Sequence, residues 1–149
     1  MKKQLFVFFL TISTSTFAQQ AENEGIKSSI QQFFDGMRKA DTSMIKAVVN
    51  PKCKMMTSYF DRNNNPQLRF EDNMNGFMKS IGSPHPDIYD ERLTTMDIKI
   101  DDNLALVWAN YEFYVGKTFS HDGIDIFTLA KENGSWKIVS IADTRRKKK

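Results

Sequence analysis

One cysteine, Cys53, serves the whole 149-residue chain, so no intrachain disulfide can brace it. Histidine is almost as scarce. A metal site would have to be assembled from His85, His121 and distant carboxylates, and no ligand spacing supports one. No cofactor motif is present either, so neither a metal nor a cofactor is expected. An excess of one charge is also missing: 21 basic residues face 18 acidic ones. Two of the positives are Lys2 and Lys3, and five more form the terminal run Arg145–Lys149. The stretch between, residues 19–144, holds 14 basic and 18 acidic residues. No broad basic face remains to track a phosphate backbone, which argues against a nucleic-acid partner. The tail at 145–149 reads as a solvated terminus.

Long apolar runs are absent too. The strongest, Leu5 to Leu10, fades through Ile12 into Ser and Thr, well short of the ~20 residues a membrane span requires. What this run does fit is a cleavable secretory signal: Lys2-Lys3, an apolar core, then Thr16 and Ala18 before Gln19. The expectation is therefore an exported protein, periplasmic or secreted, cut after Ala18. One domain over 19–144 would follow, with no stable membrane association after cleavage.

Within that domain the apolar spacing changes once. Ile26, Ile30, Phe33, Phe34 and Met37 recur on one face of a helix over 22–39. Asp41, Thr42 or Ser43 can cap a shorter helix burying Met44, Ile45, Val48 and Val49, which Pro51 would end. Residues 53–60 become β-prone, DRNNNP turns, 67–70 is extended, and a third helix carries Phe70, Met74, Phe77, Met78 and Ile81 up to Gly82. From residue 90 the period is two, in four strands separated by Asp101-Asp102-Asn103, Gly116-Lys117-Thr118 and Asn133-Gly134. Helices gathered on one face of an antiparallel sheet make an α+β domain.

The last strand carries Gly134, Trp136, Lys137 and Ile138 as G-x-W-K-I, and with this element order it resembles the nuclear transport factor 2-like superfamily. YEFYVGKTFSHDGIDIFTLAKENGSWKIVSIADTRR is similar to its exported bacterial branch, labelled SnoaL-like or putative lumazine-binding. The likeness covers 104–146 and extends in layout back to about 24. Where that branch reads H-C-G-x-D-x-F, this chain has Asp122 for the cysteine, so a role for that thiol is ruled out. The resemblance implies a cystatin-like cone: a strongly curved sheet wrapped around helices, with an open mouth. Members of the superfamily include isomerases, dehydratases, cyclases and epoxide hydrolases as well as ligand-binding and structural domains, so function follows from the fold only by analogy.

Strand register selects a candidate pocket. A two-residue Asn133-Gly134 loop pairs Glu132 with Ser135, which sets Phe127 opposite Ser140, Asp125 opposite Ala142, Gly123 opposite Thr144 and His121 opposite Arg146. Leu129, Trp136 and Ile138 share that side, while Ile141, Asp143 and Arg145 fall on the other. A loop centred on Lys117 sets Phe113 opposite His121 and Tyr111 opposite Gly123. The expected lining is Tyr111, Phe113, His121, Asp125, Phe127, Trp136 and Thr144, with Tyr59 and Trp108 as further members. Phe33, Met37, Phe77 and Met78 would form its floor. His121 and Asp125 lie ~13 Å apart along one strand, too far to act as a dyad.

Three functions follow. The first is an exported domain binding a small, largely apolar ligand in the cone. The second is an isomerase-, dehydratase- or cyclase-type enzyme with Asp125 as general base, assisted by Tyr111 or His121. The third is a structural homodimerisation module without an open pocket. Apolar residues on both sheet faces point to a homodimer formed through the sheet.

Overall fold

The computed structural model describes residues 14–71 and 73–146. Most of the expected signal segment lies outside them, as do the last three residues of the basic tail. The elements run α1 (Thr14–Arg38), α2 (Thr42–Val48), β1 (Val49–Phe60), β2 (Pro66–Glu71), α3 (Asn75–Gly82), β3 (Tyr89–Asp101), β4 (Leu104–Val115), β5 (Thr118–Glu132) and β6 (Ser135–Arg145). Helix α1 begins well before the expected residue 22. Its apolar stripe, Ile26, Ile30, Phe33, Phe34 and Met37, is buried as its spacing predicts. Gly36 lets α2 approach closely, since a Cβ there would lie 2.6 Å from Ile45 Cγ1. Asp41 caps α2, its carboxylate accepting from the Ser43 and Met44 amides. The helix stops at Val48 rather than at Pro51, which stands inside β1.

All six strands form one sheet in the order β2-β1-β6-β5-β4-β3. Every pair is antiparallel except β1 with β6. That parallel pair departs from the expected antiparallel sheet; the crossover through α3 sends β3 off in the same direction as β2, and three hairpin reversals then bring β6 parallel to β1. Phe70, expected on the third helix, stands in β2 opposite Met56 and is exposed. β1 offers it an open edge to pair with, and α3 starts only at Asn75.

Register shifts occur at Leu93/Thr95, Phe113/Tyr114 and Thr128/Leu129, and another separates Val49 from Lys54. The first three each insert one residue and the last inserts three on β1; each bends its strand, so the sheet curls around the helices instead of lying flat. The inner face buries Ala105, Val107, Ala109, Phe127, Leu129, Ile138 and Ile141 against α1 and α2. Trp136 belongs to this core: its indole N–H donates to Glu22 at 2.8 Å, and its carbonyl accepts from Ser29 Oγ at 2.9 Å. The outer face presents Leu104, Leu106 and Trp108 to solvent. No helix among the described residues is long and apolar enough to cross a membrane.

Candidate functional site

The open end of the curled sheet holds a concavity of about 340 Å³. One wall is aromatic. Phe33 from α1 stacks on Phe77 from α3 with ring centroids 5.5 Å apart, and Phe127 meets Phe33 edge-on at 6.3 Å. Phe113 and His121, adjacent across β4 and β5, have ring centroids 5.0 Å apart. The Phe113–His121 and Tyr111–Gly123 pairings are those expected from the Lys117 turn.

The other wall is polar, and two of its groups, Asp143 and Arg145, are ones that sequence parity placed on the opposite side of the sheet. Thr57, Glu91, Asp143 and Arg145 all line it beside Asp125. The cause lies in the bulges. The β5–β6 hairpin keeps its turn-set register only as far as Leu129↔Ile138; the next pair is Thr128↔Ser140, leaving Val139 as the extra residue. Beyond it every partner shifts by one. Phe127 faces Ile141, Asp125 faces Asp143, and Asp122 rather than His121 bridges Arg146. The expected partners Ser140, Ala142 and Arg146 are thereby corrected, and Asp143 and Arg145 turn inward. In β3 the shift at Leu93/Thr95 likewise puts odd-numbered Glu91 on the same face as Met96 and Ile98.

Of the nine expected lining residues, Tyr111, Phe113, His121, Asp125 and Phe127 come together, over a floor that includes Phe33, Met37 and Phe77. The others stand elsewhere. Thr144 lies on the outer face, its hydroxyl accepting from the Ile124 amide at 3.0 Å. Trp136 is in the core beneath α1. Trp108 pairs with Ile126 on the outer face, Tyr59 stands exposed beyond the mouth, and Met78 packs against the core without lining the cavity. A bulge leaves only a weak trace in sequence; the break of alternation at Thr94-Thr95 and the Ile138-Val139-Ser140-Ile141 spacing are the signals available.

Asp143 is fully occupied. Thr57 Oγ1 donates to it at 2.6 Å, and Arg145 Nε lies 3.0 Å from its other oxygen. Tyr111 is also engaged, its hydroxyl donating to the Thr144 carbonyl at 2.9 Å. Asp125 differs. It is 3% exposed and bonded to Glu91, yet its Oδ2 has no hydrogen-bond partner among the described residues. Burial, and then the neighbouring Glu91 charge, hold its carboxyl well above the usual carboxylate range. Burial also raises Glu91, to about 7, although the hydrogen bond from Asp125 pulls it back. The two therefore share a proton near neutrality, with Asp125 the donor and Glu91 the acceptor. Burial pushes the Tyr111 phenol upward, so it stays protonated. Among the described residues, no three His, Cys, Asp or Glu side chains are disposed to hold a metal ion.

A curled six-stranded sheet around three helices, with a mouth lined at its open end, is the architecture of the nuclear transport factor 2-like proteins, and solved structures share it. A superfamily protein from Salmonella enterica superposes with a TM-score of 0.65 at 18% identity, covering 91% of this chain and 95% of its own. A protein of unknown function from Mycobacterium tuberculosis gives 0.74 at 10% identity, covering 91% and 78%. A cystatin-like protein from Nostoc punctiforme gives 0.63 at 8% identity, covering 83% and 90%. Within that class, residues 21–142 match the family described as "Putative lumazine-binding", and the chain belongs to it. No curated protein matches the chain significantly.

Proposed function

We propose that this chain is an exported domain that binds a small ring-containing molecule in the concavity. The ligand's apolar body lies against Phe33, Phe77, Phe113 and Phe127, and its polar edge meets Asp125. The observation that carries this reading is the orphaned Asp125 Oδ2, buried and facing the cavity. A buried polar atom without a partner costs about 1–3 kcal/mol, and a ligand donor would recover that cost. One wall suits the largely apolar ligand expected from the sequence, and the other asks for a polar edge. Export rests on the N-terminal pattern of Lys2-Lys3, apolar run and Ala18.

The test is mass spectrometry of small molecules released on denaturing the protein purified from its own periplasm or medium. Lumazine, named in the family description, belongs in the accompanying binding panel. A stoichiometric ring compound lost in Asp125→Asn supports the reading. An empty wild-type protein that also binds no aromatic probe sinks it.

A second reading is a proton-transfer enzyme in which Asp125 acts as base once the proton it shares with Glu91 has left. In it Glu91 takes the assisting place, since the Tyr111 hydroxyl is committed to Thr144. Turnover of the identified ligand that survives in Asp125→Asn would remove Asp125 as the base.

A further inference from the structure

We infer that the ligand of the concavity is a planar organic cation, holding its N–H edge of amidinium or guanidinium type against Asp125 and Glu91 and its body among the aromatic side chains. The inference rests on the binding role proposed above and specifies the chemistry of that site.

Four carboxyl groups line the concavity, Glu71, Glu91, Asp125 and Asp143, against two guanidinium groups. Both guanidinium groups already sit beside a carboxylate: Arg145 Nε is 3.0 Å from Asp143, and Arg69 Nε is 3.9 Å from Glu71. Among the described residues, no Lys or Arg side chain lies within ion-pair distance of Glu91 or Asp125. The pair therefore stands in a largely desolvated wall, its mutual repulsion relieved by the shared proton and, at longer range, by Arg145, which is itself paired with Asp143. A cation supplies what that proton supplies and more. Two parallel N–H groups match adjacent carboxylate oxygens, and one of them reaches the orphaned Oδ2.

The aromatic wall favours the same charge independently. Phe33 and Phe77 stack with planes 6° apart, and Phe113 and Phe127 add further ring surface around the space. Ring faces carry negative electrostatic potential, so they attract a delocalised cation and give an anion nothing. A neutral amide edge would satisfy Oδ2 but would leave the carboxyl excess uncompensated.

Binding of such a cation expels the shared proton. The charged and titratable groups facing the pair are Asp143 and Arg145 from β6, Tyr111 from β4, His121 from β5, and Arg69 and Glu71 from β2. Asp143 strengthens the hold on the proton and Arg145 weakens it. Affinity for a cation must then rise with pH, by up to about tenfold per unit while one proton is displaced.

Isothermal titration of the mature protein with benzamidine, benzamide and benzoate, in two buffers of different ionisation enthalpy between pH 6 and 9, tests this. Benzamidine should bind at least about tenfold tighter than benzamide at pH 8 and release about one proton, and benzoate should not bind. Asp125→Asn, with its fold checked by circular dichroism, should abolish the proton release at pH 8 and reduce benzamidine affinity about tenfold or more. Equal binding of benzamide or benzoate, or benzamidine binding without proton release, overturns the cation assignment. So does entry of a neutral fluorescent aromatic probe with no benzamidine binding; that result leaves the proposed binding role standing. If the probe is excluded as well, both fall.

Discussion

An ideal Cβ at position 123 would lie 1.8 Å from the Thr144 carbonyl oxygen and 2.7 Å from Tyr111 Cε1. The glycine in HDGIDIF is therefore the gap across which the Tyr111 ring lies and through which its hydroxyl reaches Thr144. Gly123→Ala should destabilise the fold by about 3 kcal/mol, because backbone rather than a flexible side chain must move; urea unfolding measures it. An unchanged midpoint would mean that β5 and β6 can separate freely here. Two residues along, the carboxyl pair makes a different prediction. Glu91 and Asp125 have raised folded-state pKa values, so their contribution to stability is fully present below the ordinary carboxylate range and is lost as pH rises. The loss through Glu91 spans about 4.5 to about 7, and Asp125 extends it upward. The melting temperature should fall between pH 5 and pH 8, and the fall should flatten in the Glu91→Gln, Asp125→Asn double variant. A slope identical in both proteins would assign the titration to other groups.

The joint between α1 and α2 turns on Ala40, which adopts φ 53° so that the Asp41 amide can reach the Gly36 carbonyl at 2.9 Å. This left-handed stop favours glycine, and an L-residue with a Cβ pays about 1 kcal/mol to hold it. Ala40→Gly should therefore stabilise the protein by up to about 1 kcal/mol despite the added freedom of the unfolded chain, read as a higher urea midpoint at constant slope. A lower midpoint would show that unfolded-state entropy outweighs the strain. Among the strands, the bulges decide more than the strand lengths do. The extra residue at Val139 bends β6 and turns Asp143 and Arg145 into the site. In β3 the shift after Leu93 does the same for Glu91.

For the whole molecule, the outer sheet face is the surface that bears on assembly. Phe70, Met56, Ala142, Ile126 and Trp108 follow one another across five strands by register, and Leu106 lies beside Trp108 with 41% of its surface exposed. An apolar row of this kind is the surface on which the proposed homodimer would form. Sedimentation should give a dimer at micromolar concentration, and Trp108→Glu should yield a folded monomer. A wild-type monomer across that range would remove the dimer proposal. The concavity opens elsewhere, so the same variant should leave the affinity of the proposed ligand within about twofold.

Periodicity alone determined that three helices precede four long strands, and local turn chemistry placed the Asn133-Gly134 and Lys117 turns, because both signals lie within a few neighbouring residues. The aromatic half of the site was legible for the same reason: Tyr111, Phe113, His121 and Phe127 sit close to those turns or on unbroken alternation. Only the tertiary structure decided the polar half. A bulge forms when a strand must curl around helices packed far away in sequence, and each one reverses the parity of the residues beyond it. That is why Asp143, Arg145 and Glu91 joined Asp125, and why Thr144 turned away. The parallel pairing of β1 with β6 likewise depends on the crossover through α3 from one sheet edge to the other, and it joins residues some ninety positions apart.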